Sequence, residues 1–313
     1  MIAARLLSRL RRRLLGLCLT AVAALCILDL VPAPLLQTLD QSIYDTRLRL
    51  ASSAPDDRVV IVDIDEASIA RIGRWPWDRS RMGELAASLV DRGGARVVGI
   101  DIVFAEPQRE ADEDTRLAER LRGRPVVLGY YFTSDRGGRT SGSLPPAVLS
   151  SQALAGLGTG VTEWDGYGAN LASLQQVAAG VGFFNPLIDS DGTVRALPLL
   201  AEYQGGLYES FAVAVLRQWL GTASLRLTGD ALSLRGERGA LQLPLSDALT
   251  VMVPFAGRVE DRRGPAQRFA YVSAGDVLDG RVEWSRFKDR IVLIGTSAPG
   301  LTDLRATPVR AAF

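Results

Sequence analysis

Three aspartates stand in two apolar runs, where they could hold a metal ion or a polar ligand. Asp63 and Asp65 close the run over residues 59–65, and Asp101 interrupts the run over residues 95–104. Such runs are typical of strands buried in a parallel sheet, and open α/β sheets bind ligands at the carboxyl ends of their strands. We therefore predict that the aspartates lie on adjacent strands and could bind Mg²⁺ or Ca²⁺. The alternative is that they cap helices or pair with arginines.

A short aromatic segment follows the first run. Trp75 and Trp77 flank a proline, which fixes the loop, and Arg79 lies two residues further along the chain. The two indoles could wall a ligand pocket or stack on a guanidinium group. They could equally fill the seam between a helix and the sheet.

The composition excludes several kinds of chemistry. The chain has no histidine, which removes histidine-dependent triads, the usual zinc sites and a phosphoacceptor histidine. Ser285 and Lys288 have the spacing of an acylating serine–lysine pair, but the companion motifs are missing, so we interpret the match as chance. The segment 189–192 resembles half a calcium loop and is interpreted as a tight turn. We expect no cofactor other than a divalent cation at the aspartates.

The first part of the chain predicts a membrane anchor. Residues 1–13 carry five arginines, and residues 14–31 are apolar except for Asp29. The apolar run is just long enough for a transmembrane helix, and the upstream arginines favour a cytoplasmic N-terminus. We predict a cytoplasmic segment at 1–13, a transmembrane signal anchor at 14–31 and a body outside the cytoplasm of a bacterial cell. A cleaved signal peptide and a buried cytosolic helix are the alternatives.

The charges of the body give no site for nucleic acid. The formal net charge is +1, but five basic residues precede the apolar run, so the remainder of the chain is mildly acidic. Nucleic-acid binding relies on clustered lysine and arginine. We expect no nucleic-acid partner.

The body predicts an α/β fold with a mainly parallel sheet and flanking helices. Residues 79–92 repeat apolar side chains at helical spacing, Asp78 is placed to cap that helix, and Gly93 ends it. Together with the two apolar runs, this helix forms a right-handed βαβ unit. A helix beginning near Asp112 and a strand over 125–132 make a second unit.

The second half of the body changes character. Residues 133–180 are rich in Gly, Ser and Ala with weak periodicity, which indicates a flexible flap or an insertion. A helix is predicted over about 207–220, and short alternating runs between 224 and 243 predict an antiparallel excursion from the sheet. Residues 290–295 predict one more parallel strand, returning to the first sheet.

Several short stretches stand out in order along the chain: DQSIYDTR at 40–47, VDIDEAS at 62–68, GRWPWDR at 73–79, GIDIVF at 99–104, GFFN at 182–185, DGTVR at 191–195, IVLIGTSAPGLTD at 291–303 and ATP at 306–308. Taken together, these stretches resemble the type-2 CHASE family of extracellular sensory domains, which are associated with cyclases and histidine kinases. The resemblance implies a periplasmic sensor behind a first membrane helix. In the parent protein, further helices would lead to an adenylate or guanylate cyclase, a histidine kinase or a serine/threonine kinase.

The sequence thus predicts the sensory input domain of a bacterial transmembrane receptor at residues 38–313. The chain ends at Phe313, before any effector, so we expect no enzymatic activity of its own. Expected partners are the membrane, an unidentified small-molecule or envelope ligand, and a second copy of the chain. The candidate ligand site is placed at the strand ends by analogy and topology. It comprises Asp63, Asp65, Trp75, Trp77, Arg79, Asp101, Thr296 and Asp303.

Two other functions would use the same features. The body could be a membrane-tethered dimerisation or docking module without an output of its own. It could also be an exported metal-dependent hydrolase that uses the three carboxylates. A sensor differs from both because its ligand must bind one of two conformations more tightly.

Overall fold

The computed structural model describes most of the chain in two compact units, residues 1–52 and residues 53–313. The described residues are 13, 14, 16, 20, 33–50, 56–108, 110–134, 137–155, 160–221, 223–228, 231–246, 248–255, 269–298 and 306–309.

The first unit contains helix α1 (Ala33–Leu50). The transmembrane anchor predicted at 14–31 lies almost entirely outside the described residues. Among the helices that the structure describes, none combines the length and the apolar character needed to cross a membrane.

The second unit begins with strands separated by helices and continues with longer runs of consecutive strands. Its strands are β1 (Val59–Ile64), β2 (Val97–Ile100), β3 (Val126–Thr133), β4 (Thr140–Ser141), β5 (Leu149–Ser150), β6 (Gly166–Gly168), β7 (Gly180–Phe183), β8 (Leu187–Ile188), β9 (Val194–Pro198), β10 (Leu200–Tyr203), β11 (Gly206–Glu209), β12 (Ser224–Thr228), β13 (Ala231–Gly236), β14 (Gly239–Pro244), β15 (Thr250–Met252), β16 (Ala270–Ser273) and β17 (Ile291–Thr296). Its helices are α2 (Glu66–Ile72), α3 (Arg79–Asp91), α4 (Ala111–Leu121), α5 (Ala172–Gln175), α6 (Phe211–Trp219) and α7 (Ala274–Leu278).

Six of these strands form the predicted parallel sheet, in the order β16, β1, β17, β2, β3, β7. The central strands consist mainly of valine and isoleucine, and all four residues of β2 are buried, as expected for strands covered on both faces. The return of the last strand to the first sheet is confirmed. However, β17 inserts between β1 and β2 and pairs with both. The prediction that Asp63 and Asp101 follow adjacent strands is therefore wrong.

Helix α3 begins one residue after Asp78, as predicted, but Asp78 does not cap it. The Asp78 side chain makes no capping hydrogen bond. Instead, the Ser80 backbone N–H donates to Glu113 Oε2 of α4 at 2.8 Å. A carboxylate of the neighbouring helix α4 thus accepts from a backbone N–H that has no partner within the first turn of α3. Local sequence cannot reveal this arrangement.

The segment 133–180 forms an ordered edge where the structure describes it. β6 pairs antiparallel with the end of β3, and β4 pairs with β6. The fully buried Asn170 fixes this edge in place, because its Oδ1 accepts from Phe104 N at 2.8 Å and its Nδ2 donates to Gly129 O at 3.0 Å. That this segment is a flexible flap or an insertion stays a prediction.

Helix α6 starts later than predicted, because the residues before it belong to β11. Leu207 and Glu209 are buried while their neighbours are only partly buried, which is the alternation of a strand. Ser210 then occupies the N-cap position and accepts from Val213 N at 3.4 Å. Gly182 of β7 lies so close to Phe211 that a Cβ would approach its backbone nitrogen to 2.6 Å. The lack of a side chain at Gly182 lets the sheet and α6 meet.

The antiparallel excursion is confirmed. β12, β13 and β14 form a meander, β11 lies between β10 and β5, and β9 lies between β8 and β15. A hydrophobic cluster that includes Leu200, Leu207 and Leu232 holds these small sheets together.

Candidate functional site

Asp63 lies at the carboxyl end of β1, where it bonds the residue that follows β17. Ser297 donates to the Asp63 carboxylate from its backbone N–H at 3.0 Å and from its hydroxyl at 2.5 Å. Thr296 strengthens the same junction, since its Oγ1 donates to Ile64 O at 3.2 Å. These bonds tie two paired strands together.

Asp65 turns the other way, towards β16, and caps α2. Its Oδ1 accepts from Ser68 N at 2.7 Å, from the Ser68 hydroxyl at 2.5 Å and from the Ser273 hydroxyl at 3.0 Å. Ser68 Oγ in turn accepts from Gly275 N at 2.9 Å. Burial alone would raise the pKa of Asp65, but the bonds from Ser68 and Ser273 lower it below its usual value.

The aromatic segment is part of the core. The Trp75 and Trp77 rings meet edge to face with centroids 5.6 Å apart, and Trp77 Nε1 donates to Gly73 O at 3.0 Å. Arg79 pairs with Asp114 at 3.1 Å, and its guanidinium lies over the Phe104 ring, 4.5 Å from the centroid. These contacts favour filling of the helix–sheet seam over a ligand wall.

Asp101 is the one predicted carboxylate that makes no side-chain bond among the described residues. It is exposed, yet the surrounding protein removes enough water that burial raises its pKa. Asp303, predicted to join the same site, lies outside the described residues.

The expected three-carboxylate metal site does not form. Asp63 bonds towards β17 and Asp65 towards β16, whereas Asp101 follows β2 on the far side of β17. Within the part of the chain that the structure describes, no three acidic or cysteine side chains are grouped so that they could hold a metal ion. Asp63 and Asp65 therefore support the alternative in which the aspartates serve the fold.

A second polar region lies beside the start of β7, in a recess of about 380 Å³. Glu209 at the end of β11 lines it, with only 7% of its surface exposed, and pairs with Arg217 of α6 at 2.6 Å. Burial raises the pKa of Glu209 to about 7, although Arg217 opposes the shift. The full lining is Pro145, Pro146, Ala147, Val148, Gln175, Ala178, Gly180, Val181, Tyr208, Glu209 and Arg217.

Several polar atoms in and behind this recess have no hydrogen-bond partner in the described residues. They are Glu209 Oε2, both side-chain amide atoms of Gln175 and the hydroxyl of Tyr130. Tyr130 is fully buried behind the lining, and burial, together with Tyr208 and Glu209, raises its pKa well above 10. Buried polar atoms are almost always bonded, so the recess differs from the edge of the sheet.

Residues 19–313 match the model of the CHASE2 domain. The matched range includes both the carboxyl edge of the sheet and the recess. The chain belongs to the CHASE2 family. CHASE2 domains are extracellular sensory domains, as the resemblance implied. Neither a curated protein nor a solved structure matches the chain.

The sequence analysis of this CHASE2 domain missed Gln175, Glu209 and Arg217. The three residues lie in separate elements, and only the fold brings them together. One local signal was available: Glu209 occupies an inward position of an alternating strand, where an acid is unusual. The prediction of a helix from 207 concealed it.

Proposed function

We propose that this CHASE2 domain is the extracytoplasmic input domain of a bacterial transmembrane receptor. The match of residues 19–313 to a family of extracellular sensory domains carries the proposal. In it, residues 1–13 are cytoplasmic, residues 14–31 anchor the chain in the inner membrane, and the body faces the periplasm. The five arginines before residue 14 support this orientation.

The pairing of β1 with β17, the first and last strands of the sheet along the chain, supports a signalling role. β1 and β17 pair in parallel over six residues, and Ser297 after β17 bonds Asp63 of β1. A displacement of either strand therefore acts on the other. Such coupling is useful in a domain whose two ends report a change of conformation.

The C-terminal segment also connects to the recess. Val194 N of β9 donates to Ala306 O at 2.8 Å, and β9 continues into β10, where Leu200 pairs directly with Glu209. Two short strands thus separate the recess from residues 306–309. A ligand in the recess that prefers one arrangement of β10 and β11 would shift the position of this segment.

Reporter fusions test the orientation. Alkaline phosphatase folds only outside the cytoplasm, so its fusion after Phe313 should be active, while a cytoplasmic reporter at the same position should be inactive. Replacing Arg11, Arg12 and Arg13 with glutamate should reduce the phosphatase activity, because the positive charge that holds the N-terminus inside is weakened. An active cytoplasmic reporter and an inactive phosphatase would contradict the proposed orientation.

A chimera tests the sensory role. Residues 1–313 would be joined through membrane helices to a cyclase or histidine kinase with a measurable output. The proposal expects the output to change when envelope extract is added to cells. A constant output, combined with correct export, would favour the docking module without output.

A second copy of the chain is the proposed protein partner, and α1 supplies the supporting observation. Leu36, Leu39, Ile43 and Leu50 are exposed and follow the spacing of a coiled-coil seam. Sedimentation of the detergent-solubilised chain should show a dimer that Ile43→Asp disrupts. Thr38→Asp, outside the seam, should leave the dimer intact, and a monomeric wild type would contradict the proposal.

A further inference from the structure

Gln175 in the recess presents a donor and an acceptor that the rest of the described protein does not use. Its Nε2 and Oε1 are both buried and have no hydrogen-bond partner among the described residues. Asn170, five residues earlier, has both amide atoms bonded to backbone. Thr133 Oγ1, Trp164 Nε1 and Trp219 Nε1 are also buried without a partner in the described residues, but these three residues do not line the recess.

The charges around the recess favour an uncharged ligand. Glu209 and Arg217 are the charged residues of the lining, and their side chains pair at 2.6 Å. An anion attracted to Arg217 would lie against Glu209, and a cation attracted to Glu209 would lie against Arg217. Glu209 Oε2 still has no partner among the described residues, which leaves room for one more donor.

The remaining walls are suited to the body of a small organic molecule. Pro145, Pro146, Val148 and Val181 give apolar surface, and Tyr208 adds an aromatic ring. The volume of about 380 Å³ falls in the range of small-molecule sites, which combine mainly apolar walls with a few placed polar groups.

We propose that the recess beside β7 is a binding site for a small uncharged molecule that carries an amide or lactam group. On binding, the Gln175 side chain turns its buried amide towards the ligand, so that the N–H of the ligand donates to Gln175 Oε1 and the ligand carbonyl accepts from Gln175 Nε2. The Glu209 side chain turns in the same way, and its Oε2 accepts from a further N–H of the ligand. The inference rests on the proposed function, because it names the class of ligand that the sensor detects.

Calorimetry on the full chain in detergent tests the site with defined probes. Nicotinamide and uracil carry amide and lactam groups, while benzoate and benzylamine are charged molecules of similar size. The proposal expects saturable heat with at least one of the first two and none with the charged pair. No heat from nicotinamide or uracil, or equal heat from benzoate or benzylamine, would overturn it.

Two neighbouring glutamines provide a matched pair of variants. Gln175→Leu should weaken binding of the responding probe by at least about tenfold, and Gln176→Leu, which alters an exposed side chain, should change it by less than about twofold. Gln175→Met repeats the test if the leucine variant does not fold. Unchanged binding in a folded Gln175 variant would overturn the assignment.

The calorimetry and the chimera experiment distinguish a wrong ligand class from a wrong sensory role. If the chimera responds to envelope extract while nicotinamide and uracil give no heat, the ligand class is wrong and the sensory role stands. If the probes bind and the exported chimera stays silent to them and to the extract, the site stands and the sensory role fails.

Discussion

The carboxyl edge of the sheet and the recess beside β7 both gather polar side chains, but they use them differently. At the edge, the polar side-chain atoms are hydrogen-bonded to backbone groups and hydroxyls of the same fold. This holds for Asp63, Asp65 and Asn170. In the recess, Gln175 and Glu209 keep buried polar atoms without partners among the described residues. Polar residues at a strand edge are therefore a poor guide to binding unless their hydrogen bonds are also followed.

The pKa values of Asp65 at the edge and Glu209 in the recess are shifted in opposite directions. Hydrogen bonds at the edge outweigh burial and lower the pKa of Asp65, whereas burial outweighs the ion pair with Arg217 and raises the pKa of Glu209 to about 7. A lowered pKa means that the fold stabilises the charge, and a raised pKa means that the fold opposes it. At Glu209 the fold thus carries a cost to stability that it does not carry at Asp65.

The largest effect is expected at Asn170. Asn170→Leu removes both partners of a buried backbone N–H and a buried carbonyl, at Phe104 and Gly129. It should lower the free energy of unfolding by about 3 to 4 kcal/mol, measured by urea denaturation. Gln176→Leu, at an exposed position, should cost less than about 0.5 kcal/mol. If the free energy of unfolding fell by similarly small amounts in both variants, the hydrogen bonds of Asn170 would not contribute to the stability of the fold.

Asp65→Ala should have the next largest effect. The substitution removes the cap of α2 and leaves buried Ser68 without its acceptor, at a cost of about 2 to 3 kcal/mol at pH 7. Because the pKa of Asp65 is lowered, its contribution is present at neutral pH and is lost as the pH falls through that pKa. Glu66→Ala, one residue further in the same turn, is the control, with an expected cost below about 1 kcal/mol.

Glu209 should give the opposite pH dependence. The raised pKa means that its stabilising contribution is full below about pH 4.5 and is lost as the pH rises through about 7. The loss is up to about 3 kcal/mol, since one pKa unit corresponds to about 1.4 kcal/mol. The groups that interact with Glu209 are Arg217 of α6 and Tyr130 of β3.

Unfolding of the wild type and of Glu209→Gln would be compared at pH 5 and pH 8. The wild type should lose stability relative to the variant at the higher pH. If the free energy of unfolding changed equally with pH in the two proteins, the pKa of Glu209 would not differ between the folded and unfolded states. The opposite pH dependence of Glu209 and Asp65 would then be refuted.

The smallest effect is expected at Asp101. Burial raises its pKa and no bond in the described residues offsets the cost, so Asp101→Asn should leave the free energy of unfolding within about 0.5 kcal/mol of the wild type or raise it slightly. Chemical denaturation at pH 7 measures the difference. A loss above about 2 kcal/mol would mean that Asp101 has a structural partner of the kind that Asp63 has.

Repeating patterns predicted the fold well. The apolar runs predicted β1 and β2, helical spacing predicted α3, and alternation predicted β12 to β14. The position of β17 between β1 and β2 could not be read in this way. Strand order is decided by contacts between residues more than 200 positions apart, such as Asp63 with Ser297, and a single sequence does not encode them as a local pattern.

The candidate site was harder to predict than the fold, for a related reason. Asp65 attracts notice because it stands beside other acids, yet its position before a helix is what decides its role as a cap. Gln175 has no conspicuous neighbours in the sequence. Its importance comes from the bonds it does not make, and only three-dimensional packing reveals those.

The stability of Gln175→Leu tests the central claim most directly, because it requires no knowledge of the ligand. The account predicts that replacing an amide with two unused buried groups by an apolar side chain leaves the free energy of unfolding unchanged or raises it by up to about 1 kcal/mol. Under the same conditions, Asn170→Leu should be strongly destabilised. A loss of more than about 1 kcal/mol in Gln175→Leu would contradict the account, since it would show that Gln175 serves the fold as the edge residues do.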